Sequence, residues 1–357
     1  MKYLIYLGHP HHYLTVKHAV DRLAAAGDEV LLLARHKDVL LNLLAAQSHP
    51  YEVLSRGPIR RAVAGRISGI ANREMRVWRC CRDWRPDLLV GTDLVITHIG
   101  RLRGIPSLVF SEDDSAVVPL MAHLGYRFAN RIFAPASCDL GAWEVKKIAY
   151  RGYQELAYLR PEVFQADANV VRRYGLDPGR YSLLRVAQLT AHHDVGKQGV
   201  DDALARRLVA VMRAHGDVYI SSERPLPDDL AALRLPIEPA DIHHVLGHAQ
   251  MLVGDSQTMT TEASVLGTPA VRYNDFVGEI GCMTELETRY RLAHGIKPGR
   301  PDELVELIQE LFGREALAAT WEARRQVLLA ETDDVTEALV AAMRTCAGAT
   351  TATATGG

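Results

Sequence analysis

Short, continuous apolar runs recur along this 357-residue chain, and segments with helical spacing of apolar residues separate them. Apolar runs without polar alternation are typical of strands that are covered on both faces. When such strands alternate with helices, they predict parallel βαβ units. The predicted strands are 2–7, 29–34, 87–91, 106–110, 131–134, 182–189, 218–221, 251–253 and 269–273, and the predicted helices include 13–26, 117–130 and 301–312.

A stretch rich in proline, glycine and asparagine, at 158–181, interrupts this alternation, and the strand pattern then restarts. The length fits two domains of ordinary size. We therefore predict two Rossmann-like, doubly wound parallel-sheet domains facing a cleft. The first spans 1–160 and the second 161–332. A helix at 333–346 crosses back to the first domain, and the Ala-, Thr- and Gly-only tail at 347–357 is predicted to be disordered.

Composition excludes several classes of protein. The formal net charge of −2 and the 48% apolar content argue against a nucleic-acid-binding or largely disordered chain. No apolar run is long enough for a membrane span, and the N-terminal apolar run is too short for a secretion signal. Five cysteines without a CxxC pair disfavour a zinc site, so a cytoplasmic location is expected.

Ligands of open parallel sheets bind beyond the carboxyl ends of the strands, and two such loops in the first half carry titratable residues. His9 and His12 follow the first strand and suit phosphate binding or proton transfer. The alternatives are a polar loop without function, or a metal site, although no carboxylate is adjacent in sequence. Glu112 and Asp113 follow the strand at 106–110 and suit a general base. The alternative is acidic capping of a helix.

A third loop follows the first strand of the second half and carries His192, His193, Asp194 and Lys197. This density of titratable groups at a strand end favours function over an exposed polar loop. In the fourth loop, Ser256 or Thr258 can cap the next helix, whose free N–H groups attract anions. Glu262 lies beside the buried stripe of that helix and requires a partner, either a ribose diol or a basic side chain.

These motifs resemble a known group of proteins. The stretch from Asp255 to Pro269 is similar to the donor-nucleotide motif of the glycosyltransferase-B (GT-B) superfamily, which includes UDP-N-acetylglucosamine 2-epimerases. The chain as a whole resembles domain-of-unknown-function family 354 within that superfamily. The matching stretches are Gly8–Tyr13, Ala34–Val39, Gly152–Leu159, Ala191–Gly196 and Gly254–Met259.

The resemblance implies a nucleotide sugar, with UDP as the expected nucleotide, no resident cofactor and no metal. It implies phosphate contacts from Ser256 and Thr258, ribose contacts from Glu262, and a diphosphate or sugar contact from Arg272. It also places His193 near the sugar and phosphates. The full predicted nucleotide-sugar set is His192, Asp194, Lys197, Asp255, Ser256, Gln257, Thr258, Glu262 and Arg272. The predicted catalytic set is His9, Glu112, Asp113 and His193.

The sequence departs from the epimerase pattern at its catalytic acids. The Gly-Asp-Thr of epimerases is shifted to Gly91-Thr92-Asp93, and a further catalytic glutamate is replaced near Pro119. Because 2-epimerisation needs acids and bases on both faces of the sugar, these shifts favour glycosyl transfer. The role expected for such a transferase is in cell-surface polysaccharide or glycoconjugate synthesis. The alternatives are a 2-epimerase or its hydrolysing relative, and a non-catalytic nucleotide-sugar-binding protein.

The partners expected are a nucleotide-sugar donor and a sugar or lipid-linked acceptor. A local arginine-rich stretch runs from Arg56 to Arg82 and is interrupted by Trp78. We interpret it as a solvated helix face or, alternatively, as a peripheral contact with anionic lipid head groups.

Overall fold

The computed structural model describes residues 1–36, 38–47, 49–54, 63–187 and 199–354, and describes no side chains at 38, 63–68, 70 and 349–354. The chain divides into two compact units. Unit 1 comprises Met1–Tyr158 together with Asp333–Gly357, and unit 2 comprises Leu159–Thr332. The C-terminal helix therefore belongs to unit 1, the same unit as the N-terminus.

Unit 1 contains a seven-stranded sheet with the order β3-β2-β1-β4-β5-β6-β7, and every neighbouring pair is parallel. Most of its strands consist of apolar residues buried on both faces, which is why their sequences do not alternate. The strands are β1 (Lys2–Leu7), β2 (Glu29–Ala34), β3 (Tyr51–Val53), β4 (Leu88–Gly91), β5 (Ser107–Phe110), β6 (Arg131–Pro135) and β7 (Lys147–Tyr150).

The helices of unit 1 connect these strands as crossovers, and the last one returns from the end of unit 2. They are α1 (Pro10–Ala25), α2 (Asp38–Ala45), α3 (Val63–Trp84), α4 (Leu94–Arg103), α5 (Pro119–Met121), α6 (Leu156–Leu159), which ends at the boundary between the units, and α15 (Val335–Ala354). Helix α15 packs on α1, and its first turn is tied to unit 1 by Arg22, which donates to Asp334 at 3.0 Å and to Glu337 at 2.8 Å.

Unit 2 contains a five-stranded parallel sheet with the order β12-β11-β10-β8-β9. Its strands are β8 (Tyr181–Val186), β9 (Asp217–Ser222), β10 (Leu252–Gly254), β11 (Ala270–Tyr273) and β12 (Ala293–Ile296). Its helices are α7 (Ala168–Arg173), α8 (Asp202–Arg213), α9 (Asp228–Ala231), α10 (Ile242–Gly247), α11 (Gln257–Leu266), α12 (Gly281–Thr288), α13 (Pro301–Phe312) and α14 (Leu317–Glu331).

Both units are doubly wound, which confirms the predicted fold class. Numbered within each unit, the strand orders are 3-2-1-4-5-6-7 and 2-1-3-4-5, and in both types the order reverses beside the first strand. The reversal lies between β1 and β4 in unit 1 and between β8 and β10 in unit 2. Ligands of such sheets bind at these reversal points, so the loops after these four strands locate the candidate sites.

Two predicted segments differ from the structure. The helix expected over 117–130 is only the short α5 followed by a π-helical turn, Ala122–Tyr126. At the C-terminus, α15 continues to Ala354, so the prediction of disorder from 347 onward is wrong for 347–354. Alanine has the highest helix propensity, which explains the continuation. Residues 355–357 lie outside the described residues.

The arginine-rich stretch falls partly on α3, which is one long crossover helix. Its described arginines at 76, 79 and 82 are exposed, as expected for a solvated helix face, while the start of the stretch, 55–62, lies outside the described residues. Among the helices that the structure describes, none has the length and hydropathy needed to cross a bilayer.

Candidate functional site

The loop after β1 uses two of its histidines to build the start of α1. His9 is the N-cap residue, and its Nδ1 accepts a hydrogen bond from the His11 amide at 3.3 Å. Pro10 at the first helical position explains why α1 begins three residues before the predicted start at Tyr13. His9 therefore has a capping role at Nδ1, while its side chain remains exposed.

His12 links the two strands at the reversal point of unit 1. Its Nδ1 lies 3.2 Å from the Gly8 amide and 3.0 Å from Thr92 Oγ1, which follows β4. Its ring also packs edge-on against Phe110 at the end of β5, with ring centroids 5.8 Å apart. The loops after β1, β4 and β5 thus meet at one edge of the sheet.

His11, which carried no predicted role, lies at the centre of a buried polar cluster. Its side chain is 9% exposed, with Nδ1 at 3.1 Å from Tyr158 Oη and Nε2 at 3.1 Å from Gln154 Oε1. Glu112 Oε1 lies 3.4 Å from the same Nε2. The hydroxyl of Tyr158 fixes the ring orientation, so Nε2 is directed toward the carboxylate that follows β5.

Glu155 completes this cluster from the segment before α6. It is fully buried, and the ligand atoms of His11, Glu112 and Glu155 all lie within 4.8 Å of one another. One imidazole and two carboxylates at this spacing match the donor set of a divalent cation and equally that of a proton-sharing group. Although no carboxylate adjoins the histidine loop in sequence, the fold brings two beside it.

The acidic loop after β5 contains one carboxyl group whose pKa is near neutrality. The pKa of Asp113 is raised from 3.8 to about 7, mainly by desolvation on burial and also by the charges of Glu112 and Asp114, while His11 opposes the shift. Desolvation and like charges both disfavour the ionised form of a carboxyl group. A general base is most effective when its pKa is close to the working pH, so Asp113 meets that requirement.

The other residues of this loop hold its shape. Asp114 is buried, and its carboxylate accepts a hydrogen bond from the Asp139 amide. The Tyr126 hydroxyl donates to Ser111 Oγ at 2.7 Å, which ties the π-helical turn to the loop. No described helix starts directly at 111–114, so the acidic residues there are not the N-cap that the alternative interpretation expected.

In unit 2, Ser256 is the N-cap of α11. Its Oγ accepts a hydrogen bond from the Met259 amide at 3.3 Å, and its backbone is extended. Thr258, the alternative cap, lies inside the first turn beside Gln257, and both side chains are half-buried. The first amides of a helix have no intrahelical partner, so this turn presents N–H groups at the reversal point of the unit 2 sheet.

Asp255 has a structural role that the sequence did not indicate. Its buried carboxylate accepts hydrogen bonds from the amides of Ala187 at 2.7 Å and Val200 at 3.0 Å. Burial raises the pKa of Asp255, and these two bonds oppose that shift. The two amides lie on either side of segment 188–198, which is outside the described residues. The predicted site residues His192, His193, Asp194 and Lys197 belong to that segment.

Glu262 has a basic side chain as its partner. The carboxylate is 6% exposed, and its Oε1 lies 2.9 Å from Nε2 of His243 on α10. Phe164 packs edge-on against His243 with ring centroids 6.0 Å apart. The sequence required either a ribose diol or a basic group for this carboxylate, and the structure provides the basic group.

Arg272, the predicted diphosphate or sugar contact, has partners inside unit 2. Its side chain is fully buried at the end of β11. The guanidinium donates to Glu287 on α12 at 2.9 Å and to Asn274 at 3.4 Å. The ligand contact of Arg272 stays a prediction, and the ion pair gives this side chain a structural role as well.

Sequence reasoning missed Glu155, Gln154 and Tyr158 as members of the unit 1 cluster because they follow no predicted strand. A signal was present, since an adjacent Gln and Glu interrupt an otherwise apolar and aromatic stretch from Tyr153 to Leu159. A buried carboxylate in such a stretch requires polar partners, and His11 is one of them.

Comparison with known proteins locates the fold. Neither a protein-family model nor a curated protein matches the sequence, so membership of family 354 stays a prediction. Solved structures do match. A UDP-GlcNAc 2-epimerase from Neisseria meningitidis bound to UDP-GlcNAc aligns over 97% of this chain and 100% of its own, with a TM-score of 0.71 and 12% identity.

Glycosyltransferases match over similar lengths. MurG from Acinetobacter baumannii aligns over 97% of this chain and 100% of its own, with a TM-score of 0.60 and 17% identity. The spinosyn rhamnosyltransferase SpnG complexed with thymidine diphosphate aligns over 94% and 98%, with a TM-score of 0.60 and 15% identity. The chain thus has the GT-B-like fold that epimerases and glycosyltransferases share, and at these identities the likeness concerns the fold alone.

Proposed function

We propose that this protein is a GT-B-type glycosyltransferase-like enzyme that transfers a sugar from a nucleotide donor, with UDP as the first nucleotide to test. The observation that carries the proposal is Asp113, a half-buried carboxyl group with a pKa of about 7 at a strand end. Its cluster with His11 and Glu112 occupies the edge where ligands of doubly wound sheets bind. An acceptor hydroxyl requires such a base.

Unit 2 provides the features that suit the donor. The N-terminal turn of α11, capped by Ser256, offers N–H groups and the positive end of a helix dipole to a diphosphate. Gln257 and Thr258 add polar side chains in that turn. Glu262, five residues further into the same helix, is the candidate for the ribose hydroxyls, with His243 holding its carboxylate in place. Arg272 has no part in this proposal.

These groups account for the proton, the bonds and the leaving group of the proposed reaction. Asp113 accepts the proton of the acceptor hydroxyl as the acceptor oxygen forms a bond to the anomeric carbon. The bond between that carbon and the donor phosphate oxygen breaks, and the electron pair leaves with the nucleoside diphosphate. The amides of the α11 turn stabilise the charge that develops there. The scheme uses no resident cofactor, and we assign the donor to unit 2 and the acceptor to unit 1.

Release of the donor nucleotide, which is UDP or GDP from the diphosphate donors and CMP from CMP-sugars, tests the proposal. The purified chain is incubated with UDP-, GDP- and CMP-sugars and a mixture of sugar and lipid-linked acceptors, since the resemblance suggests polysaccharide or glycoconjugate assembly. We expect one nucleotide class to give acceptor-dependent release, and Asp113→Asn to abolish it. Failure of every donor to bind, measured by calorimetry, would overturn the proposal.

A 2-epimerase is the second candidate, and Glu155 is the observation that favours it. The sequence lacked a further acid in the epimerase pattern, but the fold brings Glu155 within 4.8 Å of His11 and Glu112. With Asp113, the cluster offers several carboxylates for proton transfer at the two faces of a sugar. Exchange of the C2 proton of a UDP-N-acetylhexosamine in deuterated water, without acceptor, would identify this reaction, and its absence excludes it.

A further inference from the structure

A π-helical turn, Ala122–Tyr126, lies in the connection between β5 and β6, directly after the short helix α5. Turns of this kind are rare, and they occur frequently at functional sites. This one ends at Tyr126, whose side chain is fully buried in unit 1. The proposed reaction gives the turn no role, but the contacts of Tyr126 do.

Tyr126 connects the turn to the acidic loop after β5. Its hydroxyl donates to Oγ of Ser111, the first residue after that strand, at 2.7 Å. Burial raises the pKa of the Tyr126 hydroxyl, so the group keeps its proton near neutral pH and remains a donor. The charge of Asp113 raises the same pKa, which places the two side chains within electrostatic reach of each other.

Side chains from two neighbouring elements hold the turn itself. His98 on α4 has its Nε2 at 2.8 Å from the Leu124 carbonyl oxygen. On the other side, Lys146 Nζ donates to the carbonyl oxygens of Tyr126 at 2.9 Å and Ala129 at 2.8 Å. Carbonyl groups at the end of a helical segment have no partner within it, so these side chains satisfy them. Tyr126 therefore extends from a backbone that is held on both sides.

The segment after β6 holds the residues that adjoin Asp113. The Cys138 thiol donates to the Glu112 carbonyl oxygen at 2.8 Å, and the Asp114 carboxylate accepts a hydrogen bond from the Asp139 amide. The two neighbours of Asp113 in sequence are thus both fixed by polar contacts. The bond from the π-helical turn adds a third fixed point, where the loop leaves the strand.

We propose that Tyr126 is a positioning residue for Asp113 and acts through the hydroxyl of Ser111. The bond between the two hydroxyl groups fixes the start of the acidic loop and thereby keeps the Asp113 carboxyl group away from solvent. In this proposal Tyr126 acts on the base alone and contacts neither donor nor acceptor. Because Asp113 is the base only in the function proposed above, this role of Tyr126 rests on that function.

Loss of the Tyr126 hydroxyl should let water reach Asp113. Burial is the main cause of the raised pKa of Asp113, and Glu112, Asp114 and His11 are the charged groups that also act on it. Tyr126→Phe changes none of these charges, so its effect comes through solvation. The pKa of Asp113 should fall from about 7 toward the value of about 4 that an exposed aspartate has.

NMR titration of the Asp113 carboxyl group in the isotope-labelled full chain tests the proposal, with Asp113→Asn identifying the signal. In Tyr126→Phe, we expect the pKa of Asp113 to be at least about 1 lower than in the wild type. Turnover should fall roughly tenfold, a part of what a positioned base contributes, and the acidic limb of the pH–rate profile should move to lower pH. The KM for the donor should stay the same, because the donor is assigned to unit 2.

Two further variants separate positioning from a general loss of stability. Ser111→Ala breaks the same bond from the side of the loop, and the double variant should show no more than the effect of one change, because both residues act through one contact. Tyr181→Phe is the matched control. Tyr181 is buried in unit 2 and donates to the Val245 carbonyl oxygen, so its loss should lower the melting temperature and leave Asp113 unchanged.

Three results would overturn the proposal. They are an unchanged pKa of Asp113 in either folded single variant, additive effects in the double variant, and an equal change in Tyr181→Phe. The titration needs no substrate, so it decides the role of Tyr126 even if the wild type transfers no sugar. That last result would overturn the proposed function by itself, and the two failures are therefore distinguishable.

Discussion

The two doubly wound sheets differ in how the charged side chains near the carboxyl ends of their strands are arranged. In unit 1, Glu112 and Glu155 lie close to His11, and burial together with the charges of Glu112 and Asp114 raises the pKa of the neighbouring Asp113 to about 7. In unit 2, the charged side chains of the predicted site form ion pairs. Glu262 has His243 and Arg272 has Glu287.

This difference separates two tasks. A group that must exchange protons near neutral pH needs an environment that destabilises its charge, which like charges and burial provide. A surface that must hold a ligand needs fixed groups whose charges are already compensated, together with free backbone donors. We therefore propose chemistry for unit 1 and binding for unit 2, and each prediction below tests one side of this division.

Asp113→Asn should have the largest effect. Amide replacement removes the base while preserving shape, so turnover should fall by roughly 10²–10⁴-fold with little change in donor affinity. Initial rates and donor calorimetry measure the two quantities. Asp177→Asn, at an exposed aspartate of unit 2, is the control and should leave the rate unchanged. Loss of donor binding in the Asp113 variant would contradict the division of tasks.

Arg272→Met tests whether the buried arginine serves the fold. It leaves Glu287 without its partner in an environment where removing one member of an ion pair costs about 3–5 kcal/mol. We expect the free energy of unfolding, measured in urea, to decrease by about this amount. Arg289→Met is the matched control, since Arg289 is exposed and its pairs should contribute at most about 1 kcal/mol. An unchanged unfolding curve accompanied by lost donor affinity would restore Arg272 as a ligand contact.

Ser256→Ala should lower the stability of unit 2 by about 1 kcal/mol, because the α11 cap is lost, and should also weaken donor binding. Asp201→Ala offers a close comparison, because Asp201 caps α8 in the same unit by accepting from the Leu204 amide at 2.7 Å. Both variants should lose similar stability in denaturant titrations. If both also lose donor affinity equally, the α11 N-terminus has no special role.

The pH dependence of stability should show a contribution from Asp113. Its folded-state pKa of about 7 lies above the unfolded value of about 4, so the folded state retains a proton that the unfolded chain releases between these values. The contribution is complete below pH 4 and is lost as the pH rises through 7. The free energy of unfolding, measured by denaturant titration, should therefore fall less steeply between pH 5 and pH 8 for Asp113→Asn than for the wild type. Asp177→Asn should retain the wild-type pH dependence.

Sequence periodicity predicted the strands that are buried on both faces and missed three of the four described strands at the margins of the sheets, the exception being β9. β2 and α13 match their predicted bounds, because long apolar or strongly amphipathic patterns determine them. β3, β7 and β12 have three or four residues each and contain Glu52, Lys147 and His294, so their patterns resemble loops. Their places in the sheets come from pairing with β2, β6 and β11.

The candidate site was predictable where a residue follows a strand directly. Glu112, Asp113 and Ser256 follow strands, as the sequence predicted, and Ser256 caps α11; their roles toward a ligand stay predictions. The roles of Asp255 and Arg272 were not predictable, because they depend on partners far away in sequence: the amides of Ala187 and Val200 for one and Glu287 for the other. The sequence predicts which residues lie at the end of a strand, but the partners of their side chains depend on tertiary packing.

Calorimetry of a nucleotide-sugar panel with three proteins tests the central claim most directly. Wild type should bind one nucleotide class with one site per chain. Glu262→Gln should weaken that binding by at least about tenfold, as expected for loss of a charge-assisted hydrogen bond, whereas Asp113→Asn should bind as wild type does. If no nucleotide sugar binds, or if Asp113→Asn loses affinity while Glu262→Gln retains it, the assignment of binding to unit 2 and chemistry to unit 1 is wrong.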